Sequence, residues 1–423
     1  MRKSLILLII LFVWFPVYAM LDLELTQGVD NAIPIAILPF AGQDNITPVV
    51  GQDLQNSGRF KLADISDLVQ GQDYNAISYS YWSGRKVNDV VTGKIQESGG
   101  KYQVSFRLFD TYNKSVLLDK QFTVNSDQMR DLAHHISDLI YQQLTGDRGI
   151  FSTKIAYILV NREANAPTKY RLEVSDVDGY NPHSLLTTDQ PLMSPAWSPD
   201  GKQLAYVSFE GHRAAIYVQD VASGNRHVLT KYAGINGAPA WSPDGKKMAV
   251  VLTQTGYPKI YVLDLVKNTV ERVTNDWYLD TEPCWAPDGK SIIFTSNRGG
   301  SPQIYRVNLA TKKVDRVTYK GNYNARASFT PDGKNLVLLH QEGDGFDIAI
   351  QDLASGRVMV LTKSGFDESP TVAPNGKMVM YATNYNGKGV LAAVSTDGKV
   401  QILLPSREGE VQEPAWGKLK SSE

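Results

Sequence analysis

Pro195-Ala-Trp-Ser-Pro-Asp-Gly-Lys202 returns as Pro239-Ala-Trp-Ser-Pro-Asp-Gly-Lys246 and as Pro283-Cys-Trp-Ala-Pro-Asp-Gly-Lys290. Looser copies follow at Ala327-Ser-Phe-Thr-Pro-Asp-Gly-Lys334 and Pro370-Thr-Val-Ala-Pro-Asn-Gly-Lys377, and a cut-off copy at Pro414-Ala-Trp-Gly417. The aromatic position therefore falls at Trp197, Trp241, Trp285, Phe329, Val372 and Trp416, in steps of 44 residues with a single step of 43. That period matches the roughly 40–45 residues of a four-stranded propeller blade. Six copies predict six blades.

The residue types within the repeat predict its strands. Ser-Pro-Asp-Gly suits a tight turn, Pro setting φ and Gly accepting a positive one, so a strand ends at the Trp and another starts past the Lys. The second strand is read in Leu204-Ala-Tyr-Val-Ser208 and Ile292-Ile-Phe-Thr-Ser296, the third in Ile216-Tyr-Val-Gln-Asp220 and Ile260-Tyr-Val-Leu-Asp264. A fourth ends at Leu229-Thr230, Val273-Thr274, Val317-Thr318 and Leu361-Thr362. Strands this short must stack on neighbouring units to build a core. The first unit, from Lys154 to Thr187, has no Pro-x-Trp strand, while the last copy has nothing else. The C-terminal strand from Glu413 to Trp416 is therefore expected to complete the first blade and close the ring, leaving no open edge.

The remainder of the chain reads as a leader and a second domain. Arg2 and Lys3 precede an apolar run, Leu5 to Phe15, too short for a bilayer span of about 20 residues. Val17-Tyr-Ala19 is a small-x-small cleavage site, so residues 1–19 are expected to be a signal peptide cut between Ala19 and Met20. Removing Arg2 and Lys3 from the 43 basic residues leaves 41 against 44 acidic ones, a balance that argues against a nucleic-acid surface. The only cysteine, Cys284, can form no internal disulfide, and a secreted, cysteine-poor chain of this kind is expected in the periplasm, without a membrane span. Residues 32–148 read as a small α/β domain: a buried strand in Ile33-Pro-Ile-Ala-Ile-Leu-Pro-Phe40, a helix from Ile46 to Asn56 ended by Gly58, strands at Val87–Ile95, Tyr102–Phe109 and Ser115–Val124, and a helix from Ser126 to Gly146. Residues 149–423 are assigned to the propeller, and residues 20–31 are expected to form a mobile N-terminal segment. The fold class is thus α+β and all-β in two domains, a small N-terminal α/β domain followed by a six-bladed β-propeller closed by its C-terminal strand.

Motifs for catalysis are missing: the chain holds no Gly-x-Ser-x-Gly elbow, His-Glu-x-x-His pair or phosphate-binding loop. His134 and His135 are assigned structural or solvated roles, and Cys284, beside a repeat Trp, a packing role. The repeat Trp residues and the Asp of each turn are read as packing and turn residues, since they recur in most blades. Positions that vary from blade to blade are better candidates for function. Just before each Pro-x-Trp strand stand Met193-Ser194, Gly237-Ala238, Thr281-Glu282, Ala325-Arg326, Glu368-Ser369 and Gln412-Glu413, with Asp280 and Asp367 adjacent. They should converge on one mouth of the central channel. Glu282, Glu368 and Glu413 would make that mouth negative and suit a basic peptide or a hard cation such as Ca²⁺. No other metal or cofactor is expected. Rival readings are a secreted lyase or peptidase accessory, which would need His or acidic ligands in the channel, and a sugar- or cation-binding propeller; no His stands at the mouth positions.

Several stretches resemble the TolB family of the Tol-Pal system: Ile33 to Phe40, Asp131-Leu-Ala-His-His-Ile-Ser-Asp-Leu-Ile-Tyr141, Leu144-Thr-Gly146, Gly149-Ile-Phe-Ser-Thr-Lys-Ile-Ala-Tyr157 and Ser175-Asp-Val-Asp-Gly-Tyr-Asn181. The likeness covers the whole chain. It implies a non-enzymatic, monomeric scaffold of the Gram-negative envelope that binds the lipoprotein Pal across the propeller mouth and TolA through its mature N-terminus, with other outer-membrane or peptidoglycan-associated proteins as further partners. The implied Pal face comprises Met193, Ser194, Gly237, Ala238, Thr281, Glu282, Arg326, Glu368 and Glu413. The implied TolA segment comprises Met20, Leu21, Asp22, Leu23, Glu24, Leu25, Thr26, Gln27, Gly28, Val29 and Asp30, a short alternating stretch able to add to a sheet edge and, in the family, docked or released. Ile235 departs from the family pattern, which has a polar His there.

Overall fold

The structure, a computed structural model, describes residues 21–67 and 76–419; the expected signal peptide and the Ala19–Met20 cleavage pair lie outside these. Six sheets form the propeller, each antiparallel, and a seventh belongs to the N-terminal domain. Blade 1 has the strand order Glu410–Trp416, Lys154–Asn161, Lys169–Asp176, His183–Thr188, so the C-terminal strand is the innermost strand of the first blade. Its register runs from Glu410 opposite Val160 to Trp416 opposite Ile155. The closing strand thus starts three residues before the expected Glu413. Blades 2 to 6 begin with innermost strands Leu192–Trp197, Asn236–Trp241, Asp280–Trp285, Tyr323–Phe329 and Glu368–Val372.

The repeat aromatics stitch blades together. Trp241 Nε1 donates to the Ala196 carbonyl at 3.2 Å, Trp285 Nε1 to the Ala240 carbonyl at 3.0 Å, and Trp197 Nε1 to the Ala415 carbonyl at 3.1 Å. Each indole therefore satisfies a carbonyl on the innermost strand of the preceding blade while its ring packs between sheets. The turn Asp is equally structural. Asp200 accepts from Ser198 Oγ at 2.6 Å and from the Lys202 amide at 3.1 Å, and these bonds hold its carboxyl below the ordinary range. Gly201 sits at φ +70°, a conformation that explains glycine there.

The N-terminal domain is a mixed sheet ordered Phe60–Leu62, Ile33–Ile37, Asp89–Ser98, Lys101–Asp110, Ser115–Val124. Helices α1 (Thr47–Asn56) and α3 (Met129–Thr145) cover one face around Ile35, Phe106, Leu54 and Ile136. The short α2 (Tyr79–Gly84) buries Trp82 on the other, against Leu38 and Val90. α3 ends at Gly146, φ +78°, as its periodicity and terminal glycine predict. The strand Phe60–Leu62 and α2 lack a sequence signal, being three and six residues long. Arg59 pairs with Asp397 at 2.9 Å, Lys377 with Asp147 at 3.0 Å, and Asn375 Nδ2 donates to the Arg148 carbonyl at 2.8 Å. Asn375 and Lys377 belong to the turn that ends the innermost strand of blade 6. The N-terminal domain therefore sits on the turn end of the propeller, and the start of the innermost strands faces the other way.

Candidate functional site: the channel mouth

Each innermost strand carries the same irregularity near its start. Registers break between Met193 and Ala196, Gly237 and Ala240, Thr281 and Cys284, Ala325 and Ser328, Glu368 and Thr371, and Gln412 and Ala415. At each break stands a non-glycine residue in the left-handed region: Ser194 at φ +53°, Ala238 +46°, Glu282 +53°, Arg326 +49°, Ser369 +52° and Glu413 +53°. Such backbone costs on the order of 1–3 kcal/mol per residue and persists only where the surroundings enforce it. A bulge re-aims a side chain. Repeated six times around an axis, it turns six side chains inward, and these six residues line one cavity at the channel.

Arg326 organises the cavity. Its Nε donates to Glu282 Oε1 at 3.0 Å, its Nη1 to Glu413 Oε1 at 3.2 Å and to Ser369 Oγ, and its backbone amide to Glu282 Oε2 at 3.0 Å. Burial works against the guanidinium, yet Glu413 and Glu282 hold its pKa above the ordinary value. Burial raises Glu368, the third carboxyl, against the lowering field of Arg326. The mouth sets the three carboxyls Glu282, Glu368 and Glu413 against one guanidinium: Arg326, itself one of the mouth residues, is the counter-ion of the ring. The carboxylates reach it because ring closure brings Glu413, 87 residues away in sequence, alongside.

Of the nine residues expected on this face, Ser194, Ala238, Glu282, Arg326 and Glu413 line the cavity, joined by Ser369; Met193, Gly237, Thr281 and Glu368 precede the bulges and stand outside the lining. Around the mouth lies a feature the sequence reading misses. The loops that enter the innermost strands expose Tyr232, Ile235, Trp277, Leu279, Tyr319 and Phe366; Trp277 and Tyr319 are each 73% exposed and Phe366 71%. Met193 and Tyr257 extend this apolar arc on the same side. The signal was present: an aromatic stands one to four residues past the Thr that closes the fourth strand in blades 2 to 5. Exposed aromatics clustered at one end of a rigid body are the kind of patch that interaction sites in general present.

Trp277 is held in place from below. Lys259 is fully buried and its Nζ reaches Asp276 Oδ1 at 2.6 Å, Asp280 Oδ2 at 3.1 Å and the Tyr278 carbonyl, so it clamps both neighbours of Trp277. Arg298 Nη2 contacts the same two carboxylates at 2.9 and 2.8 Å. Burial pushes Asp276 up, but Lys259 and Arg298 outweigh it and hold the carboxyl below its ordinary value.

At the far edge of blade 6, Glu24–Gln27 adds a fifth strand, pairing Glu24 with Leu403 and Gln27 with Gln401. The Asp22 amide donates to the Pro405 carbonyl at 2.9 Å, Asp22 pairs with Arg407 at 2.7 Å, and Leu21 is buried. Residues 21–27 are thus docked on this edge, and the Val29 amide beyond them donates to the Gly58 carbonyl of the N-terminal domain at 2.9 Å; Met20 lies outside the described residues. No helix among the described residues is long and apolar enough to cross a membrane.

Comparison with known proteins matches both halves of this architecture. A family model described as the TolB amino-terminal domain matches residues 21–117, and one described as the TolB beta propeller domain matches residues 141–420. The Tol-Pal system protein TolB of Coxiella burnetii is 63% identical over 424 residues, 97% of each chain. That of Legionella pneumophila is 58% identical over 405 residues, 95% of this chain and 96% of the relative. A crystal structure of TolB from Acinetobacter baumannii superposes with a TM-score of 0.90 at 44% identity, over 94% of this chain and all of that one.

Proposed function

The chain belongs to the TolB family, and on that premise we propose that it is a non-enzymatic periplasmic scaffold of the Tol-Pal system, binding Pal through the propeller mouth and TolA through its mature N-terminal segment. In this role it maintains outer-membrane integrity and couples the outer membrane to inner-membrane components during constriction. The observation that carries the reading is the convergence, on the end of the propeller opposite the N-terminal domain, of six left-handed residues and an arc of exposed aromatics. Backbone strain repeated at six equivalent places supports a functional use, because a strand of ordinary geometry would complete the blade as well. The docked segment supports the second half: a short strand held at a sheet edge is a detachable element.

Thr281→Arg tests the reading. Thr281 stands between Asp280 and Glu282 at the rim, partly exposed. A long cation there should abolish binding of purified Pal while leaving the melting temperature within about 2 °C of wild type, as surface changes usually do. Deleting residues 20–30 should weaken TolA binding and spare Pal. Unchanged Pal affinity in Thr281→Arg would remove the mouth from the assignment, and equal loss of both partners on deletion would undo the division between the two sites.

A further inference from the structure

His134 of α3 lies at the domain junction, 1% exposed, with a carboxylate at each ring nitrogen. Its Nδ1 is 2.8 Å from Asp53 Oδ2 of α1, and its Nε2 faces Asp178 Oδ2 of blade 1 at 3.9 Å, with no hydrogen-bond partner for Nε2 among the described residues. Carboxylates only accept. With Nδ1 bonded to Asp53 Oδ2, a second proton on Nε2 gives the imidazolium, whose charge then stands 3.9 Å from Asp178 as an ion pair rather than a hydrogen bond. Arg130, four residues before His134, completes the setting by pairing with Asp178 and with Asp176 at 3.4 Å. Lys154 pairs with Asp176 from blade 1 and approaches Asp131 of α3 at 3.8 Å, and Tyr180 stacks on Arg130.

The turn carrying Asp178 has a second task. A β-carbon at Gly179, φ +82°, would collide with the Leu21 side chain and carbonyl, so Leu21 packs directly on that turn. From this juxtaposition we infer that His134 is a proton-operated latch: its imidazolium ties the N-terminal domain to the Asp178–Gly179 turn, and the turn in that position seats the docked segment beginning at Leu21. Burial disfavours the imidazolium, but the Asp53 hydrogen bond and the charges of Asp53 and Asp178 outweigh burial and the opposing Arg130, holding the ring's pKa above its ordinary value. The sign follows from that direction. The latch is closed below the ordinary His range and opens as pH rises through the raised value.

A nitroxide on Glu24→Cys in a Cys284→Ser background reads docking of the segment without any partner protein, so the outcome is separate from Pal and TolA binding. Between pH 5.5 and 8.5 the mobile fraction of the spectrum should grow by about twofold or more, following the titration of His134 recorded by NMR of carbon-13-labelled histidine. His134→Gln should leave the mobile fraction independent of pH. Asp178→Asn, which keeps the histidine and its Asp53 bond, should move the transition to lower pH. An undiminished pH response in His134→Gln, or a His134 that titrates while the label stays equally immobile, would overturn the latch.

Discussion

At the scale of single residues, the charges that decide behaviour are those whose partners are fixed by the fold. Arg326 is the clearest. It occupies the centre of a ring whose carboxylates would otherwise offer oxygen ligands to a hard cation. Replacing it with Gln should leave Glu282 and Glu413 in the cavity, and Glu368 beside it, without a counter-ion. Isothermal titration should then show Ca²⁺ binding at least about tenfold tighter than in wild type; equal affinity in the two proteins would mean that the ring is no cation site with or without the guanidinium. Asp89 gives a second case. It is buried opposite Asp110 in the strand register, and burial together with that neighbouring carboxyl raises it to about 7. Asp110 itself is held low by the Asn113 and Tyr112 amides and keeps its charge. Because the folded value lies above the unfolded one, folding takes up a proton at this group, and the contribution of Asp89 to stability is most favourable below about pH 4 and is lost as pH rises toward 7. Asp89→Asn should therefore melt higher than wild type at pH 8, by an amount on the order of 1–3 kcal/mol, and differ little at pH 4.5. A gain of the same size at both pH values would assign the effect to packing instead.

At the scale of the element, the loop Asp276-Trp277-Tyr278 separates stability from recognition. The clamp beneath it is buried, and the side chain it presents is not. Lys259→Met leaves Asp280 buried with Arg298 as its remaining partner and should cost about 3 kcal/mol. Trp277→Ala should cost under about 0.5 kcal/mol, yet weaken Pal binding more than about tenfold if the aromatic arc is the contact surface. Chemical denaturation and a binding titration on the two variants decide this, and a Trp277→Ala protein that binds Pal normally would confine the contact to the channel rim. The same loop shows what a sequence discloses at this scale. Ser-Pro-Asp-Gly was legible because its hydrogen bonds close within five residues, as in Ser198 to Gln203. The left-handed bulges were not, because Glu282, Arg326 and Ser369 carry no local preference for positive φ and are placed there by the blade around them. Nothing near Lys259 in the sequence marks it, since its cage is assembled from a loop 17 to 21 residues further on.

The whole molecule depends on a closure that the sequence did announce, through a first unit lacking one strand and a last unit consisting of one. Val411, Ala415 and Trp416 of the closing strand are buried, Trp416 Nε1 donates to Thr153 Oγ1 at 3.0 Å, and the Ala415 carbonyl receives the Trp197 indole. The strand thus fastens blade 1 and supplies a site for the stitch from blade 2, while the Trp416 amide donates to Thr371 Oγ1 of blade 6 at 3.1 Å. Removing residues 410–423 takes away all three connections and exposes the edge of Lys154–Asn161. Loss of the buried Trp alone is worth about 3–5 kcal/mol, and at roughly 2 °C per kcal/mol for a propeller of this size the melting temperature should fall by about 6 °C or more. A ring held by its strand, rather than by the summed cohesion of its blades, should also be repaired in trans. A synthetic peptide spanning residues 410–419 should restore part of the lost stability in a concentration-dependent manner, because it binds the native edge alone. A truncated chain that melts with wild type would show that five blades and three strands of the sixth suffice. One that melts early and ignores the peptide would place the stabilisation in the continuity of the chain instead of in the pairing at the seam.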